Sequence, residues 1–271
     1  MDQLKRVLTI AGSDTSGGAG IQADLKTFEE RDVYGVTAIT VIVTMDPDGG
    51  WSHNVFPIDI DIFKSQLKTA LSLKIDAFKT GMLGSIELIE YISDAIEKHG
   101  MTTGVVDPVM VCKGANEPLN PEVNGALRDL LVPKALVVTP NLFEASQLAG
   151  CDPIATLEDM KNAAGLIHES GVKYVLIKGG AKLGTDTSID LLYDGKEFEV
   201  LESELIPTTN THGAGCTYSA AITAELAKGQ TVHGAVKTAK NFITEAIRHS
   251  YALNEYVGPV RHNALRMLCG K

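Results

Sequence analysis

Short apolar runs without alternation recur along the chain. Each is followed by a polar or glycine-bearing turn and then by apolar residues at helical spacing. Residues 6–12 (RVLTIAG), 36–44 (VTAITVIVT), 77–80 (AFKT), 104–109 (GVVDPV), 135–138 (ALVV) and 173–178 (KYVLIK) show the first pattern. Such runs suit strands buried on both faces of a parallel sheet. The second pattern predicts helices over 21–32, with Ile21, Leu25 and Phe28 on one side, and over 59–73, with Ile62, Phe63, Leu67, Ala70 and Leu71 together. Further helices are expected at 85–99 with Ser85 as its cap, through Leu131, at 141–149 and at 157–170. Residues 188–194 and 196–201, joined at Asp194 and Gly195, read as a hairpin with a two-residue turn.

Two helices are expected to close the chain. In 217–228 the small residues Ala220, Ala224 and Ala227 share a face with Cys216 and permit close packing. In 231–250 Val232, Ala235, Val236, Ala239, Phe242, Ile243, Ala246 and Ile247 form a continuous apolar stripe. Repeated strand and helix alternation predicts an α/β fold: helices on both faces of a mainly parallel sheet, an antiparallel hairpin added late, and ligands at the strand C-termini. With 271 residues and no repeat or linker, one domain over 1–271 is expected.

Composition narrows the partners. A net charge of −10 and the lack of a Lys/Arg cluster with interleaved aromatics argue against nucleic acid. No run reaches the length of a membrane span, and the start of the chain lacks a signal-peptide core, so a cytoplasmic protein is expected. Cys112, Cys151, Cys216 and Cys269 are far apart, which suggests thiols rather than a zinc site or disulfides.

Candidate chemistry centres on 210–218 (NTHGAGCTY). Two glycines one residue apart, entering a helix, let successive N–H groups converge on an anion beside the positive end of the helix. Cys216 closes this nest at a helix N-terminus, an environment that lowers a thiol pKa. Asp14, at the end of the first strand, can accept hydrogen bonds from a polar substrate or cap its own turn. Asp107 and Glu144 arrive at the ends of two other strands, where one or two carboxylates can hold Mg2+, and Lys178 can neutralise nucleotide phosphate. Residues 18–23 match a dinucleotide fingerprint, with Asp46 as a ribose-binding acid. Yet five residues separate the strand from Gly18, which disfavours an NAD-dependent oxidoreductase. A Walker A loop is excluded because no Gly-Lys-Ser/Thr follows these glycines. A phosphoryl-transfer site is the reading that uses all of these parts.

The motifs 11–28 (AGSDTSGGAGIQADLKTF), 79–83 (KTGML), 107–110 (DPVM), 139–145 (TPNLFEA) and 211–216 (THGAGC) resemble the ribokinase superfamily. The similarity is nearest to its hydroxymethylpyrimidine-kinase-like branch, which includes bacterial pyridoxal kinases. The resemblance implies a three-layer α/β/α sandwich, ATP and Mg2+ with a monovalent cation as a further candidate, and a homodimer. It places Gly213, Ala214 and Gly215 in the anion hole and Asn141 and Glu144 near phosphates and magnesium. Lys178, Gly179, Gly180 and Lys182 would line the nucleotide, which Gly213 and Gly215 would also touch. Asp14, Gly20, Met82 and Val109 would border the ring substrate.

Most ribokinase relatives carry an aspartate base where this chain carries Cys216. A thiolate there can take the alcohol proton or add to an aldehyde, so a hemithioacetal with pyridoxal is expected. Cys112, in the loop 111–117 that resembles the lid of this branch, is expected to relay a proton with Cys216. Hydroxymethylpyrimidine kinases tend to carry Gln-Asn-Thr where this chain has Met45, Asp46 and Pro47. A thioether supplies no paired donor and acceptor for an aminopyrimidine, which favours pyridoxal, with pyridoxine and pyridoxamine, as the phosphorylated substrate. Hydroxymethylpyrimidine is the alternative, and a non-catalytic vitamin or nucleotide binder is the rival from another class.

Overall fold

The structure is a computed structural model in which residues 4–110 and 121–269 are described. Their contacts gather into two compact units, Met1–Gly84 with Ile206–Lys271, and Ser85–Leu205.

In the first unit β1 (Arg6–Asp14), β2 (Tyr34–Asp46), β3 (Ser52–Pro57) and β4 (Ala77–Thr80) stand in the order β3-β2-β1-β4. β1 runs parallel to both β2 and β4, and its residues from Val7 to Ala11 are buried, as the unalternating run requires. Successive side chains of the sheet reach helices on opposite faces. On one face, Val7 and Ala77 pack with Phe28 of α1 (Gly20–Glu30) and with Ala220, Ala224 and Ala227 of α7 (Ala214–Ala227). The small-residue stripe lets α7 lie close to the sheet, as expected. On the other face, Val36 lines a groove with Ala70 of α2 (Ile60–Leu71). Phe63, Leu67 and Ala70 of α2 are buried, but Ile62 is 57% exposed, so the apolar face is narrower than the sequence suggests. α8 (Val232–Arg248) buries the predicted stripe, with only Ile247 half-buried.

Beneath α1 lies a fully buried ion pair. Lys79 Nζ on β4 donates to Asp24 Oδ2 at 3.0 Å and lies 2.9 Å from Oδ1, and Thr9 Oγ1 on β1 donates to Asp24 Oδ2 at 2.6 Å. The two charges ride on the two motifs, 79–83 and 11–28, that carry the resemblance.

The second unit contains α3 (Ile86–Lys98), β5 (Gly104–Val106), α4 (Pro121–Ala126), β6 (Val137–Val138), α5 (Leu142–Ala149), α6 (Leu157–His168), β7 (Tyr174–Gly180), β8 (Thr187–Tyr193) and β9 (Phe198–Glu204). Its strand order is β5-β6-β7-β8-β9, parallel from β5 to β7 and antiparallel thereafter, which is the late hairpin. Ser85 accepts from Leu88 N at 3.3 Å and caps α3 as anticipated.

Several expectations are corrected. Tyr193 pairs with Phe198, so the late hairpin has a four-residue loop, 194–197, instead of a two-residue turn. Asp194 Oδ1 closes it by accepting from Lys196 N and Glu197 N. β3 adds a second antiparallel pairing, with β2, that the pattern does not announce: it is short, mostly exposed and ends in Pro57, which an edge strand tolerates. β5 ends at Val106, one residue before Asp107 and Pro108, and α7 begins at Ala214 rather than 217. A third terminal helix, α9 (Ala264–Cys269), follows α8.

Breaking a buried ion pair strands a charge away from water. Lys79→Met is expected to lower the unfolding free energy by about 3 kcal/mol or more in urea titrations, and Asp24→Leu added to it to restore much of that loss. If the single and double variants were equally unstable, the desolvated charge would not be the cause.

Candidate active site

β1 delivers Asp14 to the edge of the glycine loop, where its carboxylate is surrounded by donors. Oδ1 accepts from Ser16 N and Ser16 Oγ, both at 2.8 Å; Oδ2 accepts from Ala19 N at 2.7 Å and lies 2.7 Å from His212 Nε2. Both side chains of the Asp14–His212 pair are less than a tenth exposed. Burial alone would push the Asp14 carboxyl up; the hydrogen bonds of His212 and Ser16, the field of the imidazole and the Ala19 N–H outweigh it and hold the group at about 2. Two oxygens with roughly four acceptor positions are thereby filled from within the protein. Asp14 thus shapes the loop, and its reach toward a substrate is through that shape.

The loop lies against the nest with no room for side chains. A Cβ on Gly18 would collide with the His212 ring, one on Gly213 with the Gly18 carbonyl, and one on Gly20 with the Gly12 carbonyl. Gly213 and Gly20 also have φ of +76° and +56°. His212 belongs to the motif 211–216, and the sequence alone assigns it no role. No spacing rule points to a partner 198 positions away.

Gly213 is the N-cap of α7, so Cys216 lies in the first turn and is half-buried. Ala214 N donates back to Thr211 O at 3.1 Å, and Ser219 Oγ donates to the carbonyls of Gly215 and Cys216. Thr217 Oγ1 is 3.0 Å from His262 Nε2, and burial with the nearby Lys26 charge pushes the His262 imidazole down to about 4. The first turn is therefore held from its side chains, at the end where a helix leaves its first amides without i−4 partners.

The remaining ring-substrate candidates of this unit are placed as follows. Met45 on β2 is half-buried and sits opposite His53 on β3, so their side chains share a face of the hairpin. Burial and the field of His212 push the His53 imidazole below its ordinary range, and Asp14 partly offsets them. Met82 O accepts from Thr40 Oγ1 at 2.6 Å.

In the second unit the predicted acids and lysine do come together. Lys178 Nζ and Thr139 Oγ1 donate to Asp107 Oδ1 at 2.9 and 3.2 Å. Asn141 and Glu144 form a reciprocal capping box at the start of α5: Glu144 N donates to Asn141 Oδ1 at 3.0 Å, and Asn141 N to Glu144 Oε2 at 2.8 Å. Lys178 N donates to Pro140 O at 2.8 Å, which ties β7 to the same turn. Burial raises the Glu144 carboxyl to about 7, with Asp107 pushing it further up and Lys178 pulling it down. Two buried carboxyls with one ammonium leave an excess of negative charge, which fits a divalent cation. Among the described residues no group of three or more His, Cys, Asp or Glu is placed to hold a metal.

Gly179 could not carry a Cβ without striking the Ile189 carbonyl at 2.5 Å, and Gly180, at φ +55°, marks a register shift between β7 and β8. Lys182 beyond it is exposed. Val109 is half-buried, with its N–H donating to Asp107 O at 2.9 Å. Cys112, the expected lid thiol, lies outside the described residues.

The sequence profile of the phosphomethylpyrimidine kinase family matches residues 14–261. The chain belongs to that family. Within it the chain is 58% identical over 265 residues to a pyridoxine kinase of Bacillus subtilis strain 168, covering 97% of this chain and 98% of that one. It is 41% identical over 264 residues to a hydroxymethylpyrimidine/phosphomethylpyrimidine kinase of the same organism, covering 97% and 96%. The structure matches the ADP complex of B. subtilis pyridoxal kinase with a TM-score of 0.95 at 57% identity, over 98% of this chain and all of that one. Membership of a kinase family sets aside the NAD fingerprint reading of residues 18–23, whose glycines here serve the close packing of the loop. Among the described residues no helix is long and apolar enough to cross a membrane.

A carboxyl held at about 2 in the folded chain and near 3.8 when unfolded stabilises the fold above the unfolded value, and the benefit is lost as pH falls through the folded one. Asp14→Asn is therefore expected to be less stable than the parent at pH 6 by about 2 kcal/mol. That gap should shrink from about pH 4 downward in urea titrations; a pH-independent gap would contradict the ionised anchor.

Proposed function

We propose that this chain is an ATP-dependent kinase that transfers a phosphoryl group to the 5′-hydroxymethyl group of pyridoxal, and also of pyridoxine and pyridoxamine, in the salvage of B6 vitamers. The similarity to a pyridoxine kinase over 97% of the chain carries the substrate reading. The glycine nest at the start of α7 supports the reaction class.

The alcohol oxygen attacks the γ-phosphorus, the bond to ADP breaks, and the alcohol proton passes to Cys216. The nest amides and the positive end of α7 stabilise the charge that grows on the transferred group. Lys178 is assigned to nucleotide phosphate, with Asn141, Gly179, Gly180 and Lys182 beside it. Asp107 and Glu144 would hold magnesium, which supplies charge neutralisation for the phosphates when bound. With pyridoxal the Cys216 sulfur also adds to the aldehyde carbon and the thiol proton ends on the aldehyde oxygen, a reversible hemithioacetal with no change of oxidation state that must reopen to the thiolate before Cys216 can take the alcohol proton. Met45 supports the pyridine ring over the aminopyrimidine because its thioether offers no donor and acceptor pair. The 41% identity to a hydroxymethylpyrimidine/phosphomethylpyrimidine kinase keeps that ring as the second reading. A cytoplasmic homodimer, with a monovalent cation as an additional cofactor, completes the proposal.

A side-by-side MgATP assay with pyridoxal, pyridoxine and hydroxymethylpyrimidine tests it: the B6 vitamers are expected to give the higher kcat/KM. ADP formation with the pyrimidine alone would select the second reading, and nucleotide binding without turnover of any of them would select a non-catalytic binder. Cys216→Ala is expected to lower kcat about 100-fold or more. Full turnover in that variant, with no density joining sulfur to carbon in a pyridoxal complex, would remove both roles of the thiol. Glu144→Gln is expected to raise the Mg2+ concentration for half-maximal rate about tenfold or more. An unshifted Mg2+ titration would take Glu144 out of the metal site.

A further inference from the structure

The geometry points to His212 as a positioning residue: clamped by Asp14, its imidazole fixes the orientation of the Gly213–Cys216 amides that receive the transferred phosphoryl group. Three contacts hold His212 from separate directions. Its N–H donates to Gly258 O at 3.0 Å, its carbonyl accepts from Val260 N at 3.2 Å, and its Nε2 lies 2.7 Å from Asp14 Oδ2. The ring itself is packed against Gly18, where a Cβ would strike it, and the next residue, Gly213, is pressed on the Gly18 carbonyl. His212 is therefore the last residue before the helix whose backbone and side chain are both fixed, and the dihedrals of Gly213 set where the following N–H vectors point. At a glycine N-cap with positive φ no side chain stiffens the turn, so the stiffness must come from a neighbour.

The same contacts exclude a different chemistry. Ser16 Oγ lies 3.3 Å from His212 Nε2, which gives the residue types of a serine nucleophile with its histidine and aspartate. However, serine and aspartate address the same ring nitrogen, and the Ser16 hydroxyl already reaches Asp14 at 2.8 Å. A relay needs one partner on each nitrogen. The imidazole is a strut between two loops, and among the described residues His53 feels the charges of both His212 and Asp14.

A strut of this kind acts on the transition state rather than on the ground state, because the charge the nest stabilises develops during transfer. The inference rests on the proposed kinase activity, so its test carries one arm that does not need turnover. His212→Leu, which fills the space without a donor, is expected to lower kcat for pyridoxal about tenfold or more while KM for MgATP moves by less than about threefold. His212→Gln, whose amide can still donate to Asp14, is expected to recover most of the loss. In hydrogen exchange, peptides covering 212–218 are expected to exchange faster in His212→Leu than in the parent and His212→Gln, with the rest of the chain unchanged. If His212→Leu does not fold, His212→Asn, with an amide too short to reach Asp14, takes its place in both arms.

Unchanged kcat in a folded Leu or Asn variant, or a Gln variant as slow as Leu, would overturn the assignment. Unaltered exchange in 212–218 would do the same. If the parent protein fails to phosphorylate any B6 vitamer, the kinase reading falls and the exchange arm alone decides whether His212 holds the nest.

Discussion

Two stretches of chain almost 200 residues apart meet backbone to backbone, and most of the first unit is arranged so that they can. The Gly18 carbonyl occupies the space a side chain on Gly213 would need, and the His212 ring occupies the space a side chain on Gly18 would need. Contact this close demands that both stretches be anchored independently. β1 anchors one by running into the sheet up to Asp14, whose carboxylate gathers the Ser16 and Ala19 donors of the loop. α7 anchors the other by lying on the sheet through Ala220, Ala224 and Ala227, residues small enough to bring the helix start down to the level of the loop. Replacing glycine at the contact, or enlarging alanine beneath it, would disturb the same geometry from opposite ends.

Buried charge is used in two different ways in the two units. Lys79 and Asp24 are fully buried and matched one to one, with Thr9 supplying a further donor, so the pair is complete without any ligand. Such a pair adds little to stability relative to apolar residues of the same volume, but it holds β4, β1 and α1 in one register because misalignment would strand a charge. In the second unit the ammonium of Lys178 lies against Asp107, and burial raises the Glu144 carboxyl to about 7, with Lys178 pulling it down and Asp107 pushing it up. A buried carboxyl perturbed in this way supports the metal role proposed for Glu144.

The strands and helices of the core were legible because burial on both faces leaves unbroken apolar runs and burial on one leaves a 3.6-residue stripe. Where the physics is local, the reading held: Ser85 capping α3, the stripe of α8, the alanines of α7. It failed where a segment is neither buried nor regular. β3 is a short, exposed edge strand whose apolar residues, Val55 and Phe56, are adjacent and do not alternate, and the loop 194–197 is closed by an aspartate accepting two backbone donors, which no dipeptide rule specifies. In the site, acids and glycines could be picked out by type, because few other residues do their work. His212 could not: its role comes from a partner supplied by the fold, and a histidine beside a glycine turn carries no mark of that.

The division between what the fold dictates and what it leaves open bears on the substrate. The nest amides, the capping box of Asn141 and Glu144, and the Asp107–Lys178 pair are backbone groups or charges, and the phosphate and metal roles proposed for them do not depend on which ring carries the alcohol. A relative 41% identical can therefore act on a pyrimidine and one 58% identical on pyridoxine, according to their names, while keeping the same frame. Discrimination must fall on the few side chains able to touch the ring, and there a single polar reader outweighs many apolar contacts, because an unmatched buried donor or acceptor costs more than a missing methylene. Met45, opposite His53 in the β2–β3 pairing, is the position proposed for that reading. In that proposal its thioether offers no donor and acceptor pair for an aminopyrimidine and leaves the proposed phosphate residues untouched. A change of substrate at that position would leave the Asp14–His212 clamp and the nest as they are, which is why the phosphoryl-transfer chemistry was readable from the sequence before the ring was.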